Sequence, residues 1–156
     1  RWLTRLEDAY EVSIVTQNVD DLHERAGSTH VLHLHGEIRK SRSTTDPRLT
    51  YPIAGWELSQ GEHCEKGSQL RPHIVWFGEE VPLLEIAALL VTTADILIVV
   101  GTSLAVYPAA GLVDMAIDAE QKYLVDPDAP KVSSDFEILR EKASIGVPQL
   151  VKRLLA

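Results

Sequence analysis

The residues best suited to chemistry lie in short polar clusters that follow apolar, strand-like runs. Amide, carboxylate and hydroxyl side chains suit hydroxyls, amides and phosphates, and histidine is the side chain whose unperturbed pKa lies near neutrality. Ligands of open α/β sheets bind outside the carboxyl ends of the strands, so this placement favours one shared site. Each cluster alone also fits an ordinary cap or turn. The clusters are Thr16-Gln17-Asn18-Val19-Asp20, His33-Leu34-His35-Gly36, Gly101-Thr102-Ser103 and Asp126.

His33 and His35 form a titratable pair among these residues. Side chains alternate between the two faces of a strand, so residues two apart share a face. A His-x-His pair is also a metal-binding pattern, which His63 and Cys64 could join, although the spacing matches no closed metal site. The plainer alternative for His33 is a strand histidine that faces solvent or core.

Strand-like and helical patterns alternate along most of the chain. The run at 96–100 is apolar on both faces and ends at Gly101, which is typical of a buried strand in a parallel sheet. Strands separated by helices predict an α/β fold with a doubly wound, mostly parallel, Rossmann-like sheet. The predicted strands are 12–16, 31–35, 73–78, 96–100 and 123–125, and the predicted helices are 18–27, 82–94, 108–119 and one starting at Pro148.

Residues 37–71 interrupt this alternation. The stretch is polar and too long for a routine connection in an α/β domain. We therefore expect a small inserted module at 37–71 within a single domain, 1–156.

Composition excludes several classes of protein. Hydrophobic residues make up 45% of the 156 residues, and 15 Lys and Arg against 23 Asp and Glu give a net charge of −8. This charge argues against binding to nucleic acid or to an anionic membrane. A single cysteine, Cys64, excludes an intrachain disulfide. With no transmembrane-length apolar run and no signal-peptide character, a cytoplasmic protein is expected.

Several motifs together resemble the sirtuin family of NAD-dependent protein-lysine deacylases, in its bacterial branch, which includes desuccinylase-type enzymes. Each block alone is modest, but their common order and spacing are specific, and they cover nearly the whole chain. The blocks are TQNVDDLHERAG at 16–27, HLHGE at 33–37, RPHIVWFGEEVP at 71–82, GTSLAVYPAAGL at 101–112 and EKASIGVPQLVKRL at 141–154.

The resemblance implies a mechanism and a co-substrate, NAD. Gln17, Asn18 and Asp20 would hold the nicotinamide and its ribose, and His35 would be the general base. The acyl oxygen of the substrate lysine would displace nicotinamide from NAD, and the base would then take a proton from a ribose hydroxyl. The products would be free lysine, nicotinamide and an O-acyl-ADP-ribose, with acetyl or succinyl as the acyl group.

The resemblance also assigns substrate and nucleoside contacts. An acylated lysine peptide would add to the segment of Val75, Phe77, Gly78 and Glu79 by backbone pairing. The plainer alternative for Val75 and Phe77 is core packing. The adenosine ribose, phosphates and adenine would contact Gly101, Thr102, Ser103 and Ala143, and Asp126 is the polar candidate near the adenine ribose, where the simplest alignment places Leu124.

Departures from the family are equally informative. The family usually binds zinc through two cysteine pairs in the inserted module, whereas Ser43 lies near the first expected position and Cys64 at the last. We therefore predict no zinc and no other metal. In its place we predict a small apolar cluster of Leu49, Tyr51, Ile53, Trp56 and Leu58.

None of the nine glycines belongs to the family's phosphate-cradling Gly-x-Gly motif, which precedes the matched region. The resemblance thus implies an incomplete NAD-binding domain, the C-terminal part of a sirtuin, with weak NAD binding by this chain alone. The alternative class is a catalytically silent remnant that binds a nucleotide or peptide. The sequence leaves the acyl preference, the protein substrates and the oligomeric state open.

Overall fold

A computed structural model describes all residues, 1–156, as an α/β fold of two parallel sheets and one antiparallel sheet. The strand orders are β2-β1, β4-β3-β5 and β6-β7-β8. The strands are β1 Ile14–Thr16, β2 Val31–His33, β3 Gly36–Ser43, β4 Thr50–Pro52, β5 Leu70–Ile74, β6 Ile96–Val100, β7 Gln121–Val125 and β8 Phe136–Leu139. The helices are α1 Leu22–Arg25, α2 Leu84–Thr92 and α3 Ala143–Leu154, with 3₁₀ helices at Leu3–Asp8 and Ala109–Met115.

The first core lies between the β6-β7-β8 sheet, α3 and the N-terminal 3₁₀ helix. The apolar run of β6 forms the predicted strand with the predicted bounds; Val99 is buried and the other four residues are half-buried. Helix α3 approaches β7 so closely that a Cβ on Gly146 would lie 2.5 Å from Val125 Cγ1. The buried members of this core are Leu6, Tyr123, Val125, Val147, Leu150 and Val151.

The second core lies beneath β1, β2, α2 and the second 3₁₀ helix. Small side chains let α2 and the 3₁₀ helix pack closely, and Leu34 at the end of β2 fills the space between them. The buried members are Leu34, Ala87, Val91, Ala109, Leu112, Ala116 and Ala119.

Several predicted bounds were wrong. The strands predicted at 31–35 and 73–78 are β2 Val31–His33 and β5 Leu70–Ile74, so His35 and Phe77 lie in turns beyond the strand ends. Asn18 does not cap a helix: α1 begins at Leu22, whose N–H donates to Asp20 Oδ1 at 3.1 Å. Helix α3 begins at Ala143, so Pro148 lies inside it rather than at its start. Burial of the apolar face that begins before Pro148 stabilises the helix by more than the loss of one backbone hydrogen bond at the proline destabilises it.

The antiparallel sheet spans most of the predicted module. A β-bulge between Glu37 and Ser41 interrupts the pairing of β3 with β5. The predicted apolar cluster is wrong for Trp56, which is 87% exposed, while Leu49, Tyr51, Ile53 and Leu58 are only half-buried. The buried side chains of β3 are instead the polar Ser41 and Ser43, because this small sheet has no second layer of apolar residues to cover it.

A cavity separates the two parallel sheets. Strand β1 pairs only with β2 and β6 only with β7, so each leaves one edge without a strand partner. The cavity between these edges measures about 830 Å³, has a mostly apolar lining, and receives polar residues from the carboxyl ends of β1 and β6. No helix combines the length and apolar character that a membrane span requires.

Candidate active site

The His35 ring is oriented by the loop that follows β1. Its Nδ1 lies 3.1 Å from the carbonyl oxygen of Gln17. A carbonyl oxygen only accepts hydrogen bonds, so this partner assigns the hydrogen to Nδ1 and leaves the lone pair on Nε2. The ring is half-buried. A neutral imidazole with a free Nε2 can accept a proton from a substrate hydroxyl, so His35 has the form that a general base requires.

Gly36 joins this histidine to the segment predicted to bind substrate. Its φ is +86°, and a Cβ there would lie 2.0 Å from the carbonyl oxygen of His73. Only glycine permits this close approach of β3 to β5. As a result the chain after β5 runs beside His35, whose carbonyl oxygen accepts a hydrogen bond from Val75 N at 2.9 Å.

His33 is buried and satisfied on both ring nitrogens. Its Nδ1 lies 3.1 Å from the carbonyl oxygen of Asn18, and its Nε2 lies 2.7 Å from Glu24 Oε1. No group of three or more His, Cys, Asp and Glu side chains could hold a metal ion. The His-x-His pair therefore contacts loop carbonyls, and the metal-site alternative gains no support from this geometry.

The cavity brings together residues from two of the predicted clusters. Gln17 and Asn18 line it from the end of β1, Gly101 and Thr102 from the end of β6, and Ala143 from the start of α3. These positions are far apart in sequence and meet because the strands of both sheets end on the same side. Five predicted cofactor contacts thus share one cavity.

Two further polar side chains stabilise turns at the site. Thr16 Oγ1 accepts a hydrogen bond from Asn18 N at 3.1 Å, and Thr102 Oγ1 accepts one from Leu104 N at 3.2 Å. These bonds fix the backbone where each strand gives way to its loop.

Three predicted cofactor residues lie outside the cavity lining. Asp20 and Asp126 each accept a hydrogen bond from a backbone N–H two residues later, at 3.1 Å and 2.8 Å. Ser103 is exposed in the loop after β6. The two aspartates therefore shape turns at the rim, and their contact with a cofactor stays a prediction.

Glu79 holds the turn at the end of the predicted substrate segment. Its Oε2 accepts hydrogen bonds from Trp76 N at 3.1 Å, Arg71 Nη2 at 2.7 Å and Arg42 Nη2 at 3.0 Å. The Trp76 N–H and then Arg71 lower the pKa of Glu79, so it is ionised at neutral pH. Phe77, at the tip of this turn, is 97% exposed.

Sequence reasoning did not identify Glu24, Arg42 or Arg71 as site residues. Glu24 lies 9 positions from His33, and Arg42 lies 37 positions from Glu79, so no local spacing connects them. Only the charge of each residue was visible, and a charge alone is typical of a solvated surface.

The positions predicted to replace a zinc site contain hydrogen-bonded hydroxyls around Cys64. Ser68 Oγ lies 2.7 Å from Ser43 Oγ, 2.9 Å from Thr45 Oγ1 and 3.0 Å from Cys64 Sγ. Hydrogen bonding with Ser68 is the main cause that lowers the pKa of the Cys64 thiol to about 7. Structural zinc requires four ligands such as thiolate or imidazole, so the residues present do not fit such a site.

We expect elemental analysis of the purified protein to find far less than one zinc per chain. We also expect Ser43→Ala to lower Tm by roughly 2–4 °C, because it removes about 1 kcal/mol of buried hydrogen bonding. The exposed Ser59 of the same module provides the control, and Ser59→Ala should leave Tm unchanged. One tightly held zinc per chain, lost on chelation together with stability, would contradict this prediction.

Comparison with known proteins decides the family. A model of the Sir2 family, the sirtuins, matches residues 1–108. The chain belongs to the Sir2 family. It is 56% identical over 126 residues to an NAD-dependent protein deacylase of Aggregatibacter actinomycetemcomitans, covering 81% of this chain and 60% of the relative. It is 45% identical over 160 residues to one of Bacteroides thetaiotaomicron, covering 98% of this chain and 68% of the relative.

Solved structures confirm the α/β, Rossmann-like class of this Sir2-family chain. A Sir2 homolog–NAD complex superposes with a TM-score of 0.86 at 36% identity, over 99% of this chain and 62% of the other. A Sir2–p53 peptide–NAD⁺ structure gives 0.75 at 28% identity, over 99% and 66%. The chain thus spans about 60% to 68% of the length of these relatives.

Proposed function

We propose that the protein removes acyl groups from protein lysines in an NAD-dependent reaction that yields nicotinamide and O-acyl-ADP-ribose. The position of His35 carries this proposal. Its ring Nδ1 forms a hydrogen bond with the carbonyl oxygen of Gln17, and its own carbonyl oxygen accepts one from Val75 N. A candidate base, a polar loop and an extended segment therefore meet at one residue. The relatives named NAD-dependent protein deacylase support this reaction class.

The polar groups around the cavity fit a dinucleotide. Gln17 and Asn18 offer amide donors and acceptors, Thr102 offers a hydroxyl, and Ala143 offers an apolar contact for a base ring. NAD supplies the anomeric carbon from which nicotinamide leaves. The remaining proposed contacts are Asp20, Gly101, Ser103 and Asp126.

His35 acts as the base in this proposal. Nδ1 donates to the Gln17 carbonyl, so Nε2 is the atom that takes a proton from a ribose hydroxyl. His35 is not among the residues that line the cavity, and its hydrogen bond to the Gln17 carbonyl restricts rotation of the ring beside that loop. Removing the proton makes the hydroxyl oxygen nucleophilic toward the acyl carbon, and addition of one water lets the lysine nitrogen leave as the free amine. Acyl-lysine, NAD and water would thus give lysine, nicotinamide and O-acyl-ADP-ribose.

An acylated peptide is proposed to pair with the backbone of residues 75–79. The Val75 carbonyl would accept the amide hydrogen of the acyl-lysine, the exposed Phe77 would cover the lysine's methylene chain, and Gly78, at φ +87°, allows the turn. Glu79 contributes by fixing this turn through Arg42 and Arg71. Acetyl-lysine is the substrate we propose, with succinyl-lysine as the second acyl group to assay.

The test is nicotinamide release from acetylated and succinylated lysine peptides. The native polypeptide that contains residues 1–156 is incubated with NAD, and nicotinamide, free lysine and O-acyl-ADP-ribose are quantified. Equimolar appearance of all three supports the proposal. Absence of nicotinamide release with both peptides would favour a silent binding protein instead.

Replacing Glu79 with Gln is expected to raise KM for the acylated peptide about tenfold, with a smaller change in kcat. The neutral amide loses the two charge-assisted hydrogen bonds to Arg42 and Arg71. The turn that ends at residue 79 is then held less firmly and binds the peptide more weakly. The exposed neighbour Glu80 is the control, and Glu80→Gln should retain the original KM. Equal KM values for Glu79→Gln and the unmodified protein would refute this role.

A further inference from the structure

Four successive carbonyls at 16–19, from the end of β1 into its loop, accept hydrogen bonds from residues between the end of β2 and the start of β3. Backbone N–H groups bond the outer two carbonyls, and histidine rings bond the inner two. The pairs are Leu34 N to Thr16 O at 2.9 Å, His35 Nδ1 to Gln17 O at 3.1 Å, His33 Nδ1 to Asn18 O at 3.1 Å and Ile38 N to Val19 O at 2.7 Å. The inner two bonds therefore depend on side-chain orientation and protonation.

Glu24 fixes the orientation of the second ring. Its Oε1 lies 2.7 Å from His33 Nε2, opposite the bond from Nδ1 to the Asn18 carbonyl. The His33 side chain is 7% exposed, so no water is needed to complete its partners, and Glu24 is 42% exposed at the surface of α1. The ring bridges a surface carboxylate to the loop, and rotation about its χ angles would break both bonds.

We propose that His33 and Glu24 form a positioning pair, in which the carboxylate fixes the ring and the ring fixes the loop carbonyl beside the one that orients His35. This inference rests on the proposed deacylase function, since His35 is the base of that reaction. Both ring nitrogens of His33 form hydrogen bonds within the protein, so neither is available to a reacting group. It acts through the loop of Gln17 and Asn18, two residues that line the cavity.

The His33 ring donates both hydrogen bonds, to Glu24 and to the Asn18 carbonyl, only when each ring nitrogen carries a hydrogen. Burial lowers the pKa of His33, but the bonds to Glu24 and the Asn18 carbonyl, with the charges of Glu24 on α1 and Glu37 on β3, outweigh burial and raise it above 6.5. Above this raised pKa the ring keeps one hydrogen. The charged carboxylate is the stronger acceptor, so the Asn18 carbonyl loses its donor. Below the pKa of His33 all four loop carbonyls have a donor, and above it the Asn18 carbonyl alone loses its donor.

Kinetics from about pH 6 to pH 10 test the pair in the native polypeptide that contains residues 1–156. We expect kcat/KM for NAD to fall about three- to tenfold as His33 deprotonates. In Glu24→Gln the amide can donate to Nε2 of the neutral ring, which keeps its Nδ1 hydrogen on the Asn18 carbonyl, so this alkaline fall should disappear. The exposed Glu85 of α2 is the matched control, and Glu85→Gln should show the same fall as the unmodified protein.

Nuclear magnetic resonance gives a readout that needs no turnover. The His33 ring should titrate above pH 6.5, with the amide resonances of Asn18 and Val19 shifting in step, and Glu24→Gln should abolish both effects. The proposal would be overturned if Glu24→Gln and the unmodified protein gave the same pH profile of kcat/KM for NAD. It would also be overturned if the Asn18 and Val19 amide resonances did not shift as the His33 ring titrates. If the loop amides shift with the His33 ring but no NAD-dependent turnover is found, the proposed function is refuted while the hydrogen bond from His33 to the loop stands.

Discussion

His35→Ala is expected to reduce formation of free lysine roughly 100- to 10,000-fold, the contribution typical of a positioned general base. Alanine removes the Nε2 lone pair that would take the ribose proton, while the backbone bond from Val75 N to the residue 35 carbonyl can persist. Because the base is needed after nicotinamide has left, exchange of labelled nicotinamide into NAD should fall much less than deacylation. Both rates are measured on the same acetylated peptide.

The exposed His30 provides a matched control for this change. His30→Ala removes an imidazole near the start of β2 without touching the loop after β1, so deacylation should be unchanged. Deacylation by His35→Ala within threefold of the unmodified protein would show that another group is the base, even if NAD binding and exchange were intact.

Gly36→Ala is expected to destabilise the protein by about 2–5 kcal/mol, the sum of left-handed backbone strain and a steric clash. The new Cβ would lie 2.0 Å from the carbonyl oxygen of His73, a backbone atom that can move only if β3 and β5 separate. This separation would also pull Val75 away from His35. The urea midpoint of unfolding, compared at constant m, measures the loss.

Gly55→Ala isolates the two causes. Gly55 has almost the same φ, +85°, but a Cβ there would have no atom within 4 Å. Only backbone strain applies, so a loss of about 1 kcal/mol is expected. If both substitutions cost the same, strain alone governs Gly36 and the close approach of β3 to β5 does not matter.

The sequence predicted strands where one pattern was unambiguous. Residues 96–100 are apolar on both faces and form β6 with the predicted bounds. Strand β8 was missed, because its four residues show no alternation: Phe136 and Leu139 are half-buried and the two residues between them are exposed. The helix predicted at 108–119 is a 3₁₀ helix at Ala109–Met115, since its packing against α2 is decided by tertiary contacts rather than by propensity.

The sequence alone determined which residues could do chemistry and on which strand ends they lie. Strand alternation predicted that His33 and His35 share one face; His35 instead lies in the turn after β2, where both rings still form hydrogen bonds to adjacent carbonyls of one loop. The motifs were sufficient to indicate the Sir2 family, which the family match over residues 1–108 confirms.

Only the tertiary structure decided the partners of those residues. These contacts join residues whose spacing in the sequence follows no helix or strand period. They are Glu24 with His33, two arginines with Glu79, and the hydroxyl cluster with Cys64. Local patterns report burial and turns, because these depend on neighbouring residues. Long-range hydrogen bonds depend on where separate strands and loops meet after folding, and these bonds set the tautomer of His35 and the protonation of His33.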